Sequence, residues 1–208
     1  MTNKQMQKLV NKYFNAEGYQ FPMHFEHRVD PDSSAVLYSI IRENKPKSIL
    51  GIGTWRGGST CVMMAALVKN GGEFRYVASE LMDDLRDETR TNCLEMNKRA
   101  PEMVGDITQS LDLIPEEIDF LYHDTNHDLD TTIWVLDNIL PRVKKGGLIA
   151  FHDWAVEDLD GQWVAKEGAW PETIEMIRRH MMGTLPMEKI YWNFKNPNDW
   201  ELGVFKKI

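Results

Sequence analysis

The chain of 208 residues is short of several things, and each shortage closes off a class of protein. No apolar run approaches the roughly 20 residues that span a bilayer, so no membrane role is expected. The segment Met1 to Lys12 is polar and amphipathic, without the apolar centre of a signal peptide. Cysteine is scarce. Cys61 and Cys93 make neither a disulfide framework nor a zinc signature, and a reducing cytoplasm is the expected location. Basic charge is also scarce: 24 Lys and Arg stand against 32 Asp and Glu, for a net charge of −8. The pairs Lys144-Lys145 and Lys206-Lys207 are isolated. Nucleic-acid backbones are bound by a basic stripe, so a small-molecule partner is expected rather than RNA or DNA. No repeat or low-complexity segment is visible. A homo-oligomer is compatible with all of this.

What is present is a regular alternation. The length suits one substantial core. Met6, Leu9, Val10 and Tyr13 share a face at helical spacing, which predicts a first helix over 3–15. An aromatic stretch follows from Tyr19 to Phe25. Asp32 or Ser33 can cap a second helix carrying Val36, Ile40 and Ile41. Strands are then expected at 48–52, 74–79, near 103–104, at 118–122 and at 148–151. Helices separate them: one from Gly58 to the stop at Gly71-Gly72, one over 83–98, and one with the stripe Leu129, Ile133, Leu136 and Leu140. Short apolar strands between helices indicate a buried parallel sheet. After a helix over 171–182, the runs 189–194 and 200–205 predict an antiparallel hairpin turned at Lys195 to Asp199.

The densest signal is Ser48 to Thr60, where an apolar strand enters a glycine-rich turn and a helix opens behind it. Dinucleotide binders space their glycines G-x-G-x-x-G. Here Gly51 and Gly53 fit, Arg56 occupies the third position, and glycine arrives one residue late at Gly57. The G-x-G-x-x-x-G pattern resembles motif I of the class I S-adenosylmethionine-dependent methyltransferases. Gly58-Ser59-Thr60 is similar to the sugar and natural-product O-methyltransferases among them. The resemblance implies a Rossmann-like α/β fold: a seven-stranded, mostly parallel sheet, order 3-2-1-4-5-7-6, with a C-terminal antiparallel hairpin. It covers residues 33–208 and leaves 1–32 as a helical extension. It also implies S-adenosylmethionine as cofactor, held along this stretch by Gly51, Gly53, Thr54, Gly57 and Ser59.

Ligands of open parallel sheets bind beyond the strands' carboxyl ends. Glu80 ends the second strand, where the resemblance implies an acid on the ribose hydroxyls; a plain surface glutamate is the alternative. Asp106 follows the third strand, where it either approaches the adenine or caps a turn. Asp124 and His127 follow the fourth strand, and His152-Asp153 the fifth. Neighbouring strand ends bearing Asp and His can hold a hard divalent cation. The resemblance sharpens this to the cephalosporin-hydroxylase and macrolide sugar O-methyltransferase group. It implies metal ligation by Asp124, His152 and Asp153, magnesium as the ion, and His127 as general base beside Asp124. The activity implied is methyl transfer to a hydroxyl of a sugar or natural product.

Two departures stand against the pattern. The family places an acid where this chain has Gly51, and Asp-Gly where it has Asp124-Thr125. A binding or assembly module that has lost its cofactor, or a metal-dependent relative with another reaction, are the competing expectations. The long segment from Trp154 to Trp170, with Trp163 between, is expected to form a substrate lid together with the Tyr19 to Phe25 stretch.

Overall fold

Strand alternation builds the molecule outward from one sheet. The computed structural model describes residues 1–19, 31–154, 156–159, 162–166, 168–192 and 202–208. The central strands are β1 (Ser48–Ile52), β2 (Arg75–Ser79), β3 (Glu102–Val104), β4 (Ile118–His123) and β5 (Val143–Phe151). Leu50, Ile52, Leu121, Ile149 and Phe151 point to one side and pack with Val135, Leu136, Met176 and Ile177. Ile49, Phe120, Tyr122 and Ala150 point to the other and pack with Val36, Ile40, Val62 and Leu67. Burial on both faces is why these strands read as unbroken apolar runs.

Helices α1 (Asn3–Val10), α2 (Pro31–Asn44), α3 (Gly58–Asn70), α4 (Asp83–Asn97), α5 (Leu129–Asn138) and α6 (Pro171–Met181) surround the sheet. α1 starts on a reciprocal cap between Thr2 and Gln5, continues into a π-helical turn over Asn11–Asn15, and buries Met6 against the α2–α3 layer. α2 begins at Pro31, two or three residues earlier than a cap at Asp32 or Ser33 implies. Asp32 therefore lies in its first turn and Ser33 is buried within it; neither is the cap. α3 and α4 meet at Cys61 and Cys93, free thiols whose sulfurs are 3.3 Å apart. Among the described residues no helix is long and apolar enough to cross a membrane.

The seven-stranded sheet has the order β3-β2-β1-β4-β5-β9-β8, where β8 is Met187–Trp192 and β9 is Gly203–Lys207. Pairings from β3 to β5 are parallel, and β9 runs antiparallel to both neighbours. This is the expected topology with one addition. A separate hairpin, β6 (Val156–Leu159) with β7 (Gln162–Ala165), occupies the segment read as a free lid. Its root is core: Trp154 and Trp163 are buried and meet edge to face at 5.7 Å. Trp154 lies so close to Gly203 that a Cβ there would come within 2.6 Å of the indole. Tyr19 also belongs to the core layer, stacked on Tyr38 at 4.9 Å; the rest of the aromatic stretch lies outside the described residues. So does the turn expected at 195–199. β5 begins at Val143 rather than Leu148, because Val143 already pairs with Ile118 of β4 ahead of an irregularity in the register; Lys144 reaches Asp119 there at 2.9 Å.

Gly51 has a packing explanation. It lacks the left-handed backbone of Gly53 (φ +80°). A Cβ on it would instead meet the buried Tyr76 ring, 2.9 Å from Oη and 3.3 Å from Cε2. The phenol fills the space that a side chain at 51 would need. Gly51→Ala is therefore expected to cost about 1–3 kcal/mol, as overpacking does. Adding Tyr76→Phe should recover part of that loss, giving a coupling measurable by urea denaturation of the double-mutant cycle. A Gly51→Ala protein as stable as the parent would show that the phenol does not set the limit.

Candidate functional site

The carboxyl ends of β1, β2 and β4 surround a cavity of about 670 Å³, bordered by Gly53, Trp55, Glu80, Asp106 and Asp124. Backbone hydrogen bonds carry the sheet past its last residues. Gly53 N–H donates to Ser79 O at 2.9 Å, Asp124 N–H to Ile52 O at 2.8 Å, and His152 N–H to His123 O at 3.0 Å. The strand ends are thereby held in register where the candidate residues begin.

The glycine loop turns inward at Gly53, where a Cβ would fall 1.7 Å from the carbonyl oxygen of Asp124. Only glycine fits this close approach. Glu80 crosses from β2 and clamps the loop. Its Oε2 accepts from Thr54 N–H at 3.2 Å and Trp55 N–H at 2.9 Å, and its Oε1 from Met82 N–H at 3.3 Å. Trp55 is held at φ +48° and stands half exposed at the cavity wall. Asp106 caps the short helix at 107–109, accepting from Thr108 N–H and Oγ1 at 2.8 Å each, while also facing the cavity.

The other loop positions lie behind the wall. Thr54 is buried and touches Thr89. Gly57, at φ +90°, precedes α3 and packs on Thr89. Ser59 is buried in α3. Gly51 faces Tyr76. Gly53, Glu80 and Asp106 are thus together at the cavity, and Gly51, Thr54, Gly57 and Ser59 shape it from behind.

Asp124, His152 and Asp153 come together at the adjacent ends of β4 and β5, with potential ligand atoms all within 4.8 Å of one another. His152 Nδ1 lies 3.0 Å from Asp153 Oδ1 and 3.5 Å from Asp124 Oδ1. Tyr122 donates to Asp124 Oδ2 at 2.9 Å. Burial raises the pKa of Asp124, the neighbouring Asp153 charge adds to this, and His152 opposes it. Burial would also raise Asp153, but His152 and His127 outweigh it and hold that carboxyl below its usual range. One carboxylate is therefore stabilised as an anion and the other is not, the pattern of two acids crowded into one site.

His127 stands on the far side of Asp153, with Nε2 3.2 Å from Asp153 Oδ2. Its Nδ1 meets Glu172 Oε1 at 2.6 Å, and its ring stacks on Trp170 at 4.2 Å with the planes 5° apart. A neutral imidazole has one N–H, so it can donate to only one of its two carboxylates at a time. His127 borders a second, smaller cavity of about 20 Å³ rather than the large one. That volume has room for a single water. His123 Nε2 and Glu172 Oε2 are buried at this cavity with no partner among the described residues.

Glu172 was missed from the sequence. Pro171-Glu172 reads as an ordinary helix start, with proline at the first position and an acid for the dipole. Nothing in that pattern connects it with a histidine 45 residues earlier. Trp170, expected in a lid, instead forms one face of the His127 pocket.

His123 offers a pH test. Burial, with a smaller push from His127, lowers its pKa to about 4. The side chains lining its cavity include His152, Asp153 and Glu172 as well. An unfolded histidine takes up a proton near pH 6.5, and this one does so only near 4, so unfolding binds a proton between those values. Stability should fall by about 3 kcal/mol from this group as pH drops through that window. His123→Phe should flatten this part of the stability profile measured by urea denaturation at stepped pH. An unchanged slope would assign the acid sensitivity elsewhere.

Residues 50–154, just over half the chain, match the model of a methyltransferase domain family. No curated protein matches this chain in sequence. Among solved structures it is similar to an O-methyltransferase from Bacillus cereus in complex with SAH: 19% identity, TM-score 0.65, covering 100% of this chain and 92% of that one. It is also similar to the O-methyltransferase TomG from Streptomyces achromogenes, involved in tomaymycin synthesis and solved with SAM: 16% identity, TM-score 0.64, covering 100% and 91%. An rRNA methylase from Streptococcus thermophilus shares 15% identity at TM-score 0.59, covering 82% and 93%. At such identities the likeness speaks for the fold, which serves acceptors as different as these. With the matching family model, the glycine loop and the sheet order, the chain belongs to the methyltransferase-domain family and is a class I S-adenosylmethionine-dependent methyltransferase.

Proposed function

We propose that this protein transfers a methyl group from S-adenosylmethionine to a hydroxyl of a small molecule, a sugar or natural product, assisted by a divalent cation. The observation that carries this reading is the position of Asp124. It borders the large cavity and also belongs to the Asp–His–Asp cluster, so one residue joins a cofactor-sized space to a cation-competent one. A cavity of about 670 Å³ is of the size that takes a nucleoside-bearing ligand.

The chain's own contribution is positioning, exclusion of water and proton handling. Three amides already use Glu80, and a carboxylate has about four acceptor positions. Glu80 therefore has capacity for a ribose hydroxyl on Oε1 while holding the loop still. Asp124, His152 and Asp153 fit a cation by donor type and proximity, and a bound cation would lower the pKa of an acceptor hydroxyl. His127, with its side chain 23% exposed, is the base that accepts the hydroxyl proton. Glu172 and Trp170 fix the plane of its ring. The acid missing at Gly51 supports a second reading, a binding module without turnover, because the chain has no carboxylate there to meet the methionine amino group.

Glu80→Ala is expected to weaken S-adenosylhomocysteine binding by about 1.5–3 kcal/mol in calorimetry, as loss of a charge-assisted contact and of the loop clamp would. Unchanged affinity in a folded variant would remove Glu80 from the site. Titration of the parent protein separates the two readings: a folded protein with no affinity for S-adenosylmethionine or S-adenosylhomocysteine favours the module.

The cation gives a further test. A divalent ion should raise the melting temperature, since a ligand bound only by the native state stabilises it. A chelator should reverse the rise, and Asp124→Asn should abolish it. A shift that persists in Asp124→Asn would place the ion elsewhere.

A further inference from the structure

The donor set at the strand ends is not that of a magnesium site. Magnesium prefers hard oxygen ligands in a near-ideal octahedron and keeps several of its waters. Imidazole nitrogen suits zinc, copper, iron and nickel, whereas carboxylates and water suit magnesium, calcium and manganese. Here a histidine occupies the middle of the cluster. His152 Nδ1 is within 3.0 Å of one carboxylate and 3.5 Å of the other. Its position is not incidental. The His152 backbone N–H is tied to His123 O at 3.0 Å, which fixes the residue at the end of β5. Asp153, at φ +55°, adopts a backbone that L residues rarely take, and its two oxygens face different imidazoles, His152 on one side and His127 on the other.

We propose that this site selects a first-row transition cation over magnesium, with His152 as the ligand that makes the selection. The inference rests on the reading that a cation sits among Asp124, His152 and Asp153. One nitrogen and two carboxylates form a three-ligand set of the kind that leaves positions open for water and an acceptor oxygen, as catalytic transition-metal sites do. His127 stays outside the ligand set. Among the described residues, the atoms that gather within 4.8 Å of one another are those of Asp124, His152 and Asp153 alone, and His127 meets the cluster only through Asp153, at 3.2 Å, so it serves as the nitrogen base beside the ion.

The experiment uses the full chain, stripped with a chelator and titrated separately with Mg²⁺, Mn²⁺, Co²⁺ and Zn²⁺ by calorimetry and thermal shift. Two variants accompany it: His152→Asp, which makes the cluster all-oxygen, and His152→Asn, in case the third carboxylate prevents folding. Any site ranks transition cations by the Irving–Williams series to some degree, so the readout is the change in preference between proteins. The parent is expected to bind Co²⁺ and Zn²⁺ well ahead of Mg²⁺, and its Co²⁺ absorption spectrum should report nitrogen ligation. In either variant the Co²⁺-over-Mg²⁺ ratio should fall by about 10–100-fold, the scale on which metal affinity responds to changes near its ligands. The Co²⁺ spectrum should shift to that of an oxygen-ligated ion.

Magnesium binding as well as or better than Co²⁺ and Zn²⁺ in the parent would overturn the selection while leaving the cation site intact. A transition-metal preference and spectrum unchanged in both variants would overturn the role of His152. Failure of every cation to bind the parent would overturn the cation reading itself, and this inference with it.

Discussion

The contact between Gly53 and the backbone of Asp124 is the constraint on which the rest of the site depends. The end of β1 presses against the end of β4 so closely that no side chain fits between them. One strand leads into the glycine-rich loop at the large cavity, and the other into the acidic cluster. Because the two backbones touch, the geometry of either site is inherited by the other. The hydrogen bonds that extend the ladder beyond Ile52, Ser79 and His123 make the same junction rigid from three directions. Rigid strand ends are a better base for chemistry than loops, because a small misplacement is costly.

Charge at the junction is managed by asymmetry rather than by neutralisation. Burial penalises both acids; it prevails at Asp124, whereas Asp153, between two imidazoles, keeps its charge. Tyr122 remains a donor because burial and the neighbouring Asp124 push its own ionisation well up. The Tyr122 hydroxyl, donating to Asp124 Oδ2, orients the carboxylate that faces the cavity.

The topology was legible because its signals are local. Five apolar runs, their helices and the late glycine at 57 specify a doubly wound sheet, and β1 lies at the residues the sequence marks. Asp124, His152 and Asp153 could be grouped because topology alone makes β4 and β5 neighbours. What escaped depends on packing across distant segments. That a side chain at 51 would meet the Tyr76 ring depends on two strands in contact, and a single chain read in order carries no trace of it. The attachment of Glu172 and Trp170 to His127 is hidden for the same reason. The β6–β7 hairpin was hidden differently: its tryptophans suit a mobile lid and a buried root equally well, and only the space left by Gly203 decides between them.

The grip of Glu80 on the loop has a consequence for the economy of binding. In many nucleotide sites the phosphate- or sugar-binding loop is slack until its ligand arrives, and part of the contact energy goes into ordering it. Here the loop amides of Thr54 and Trp55 are already anchored to the Glu80 carboxylate from the neighbouring strand. The entropy of closing the loop is lost during folding instead, when the whole sheet forms cooperatively. A loop fixed in this way meets a ligand with a smaller ordering penalty, so fewer direct contacts suffice for a given affinity.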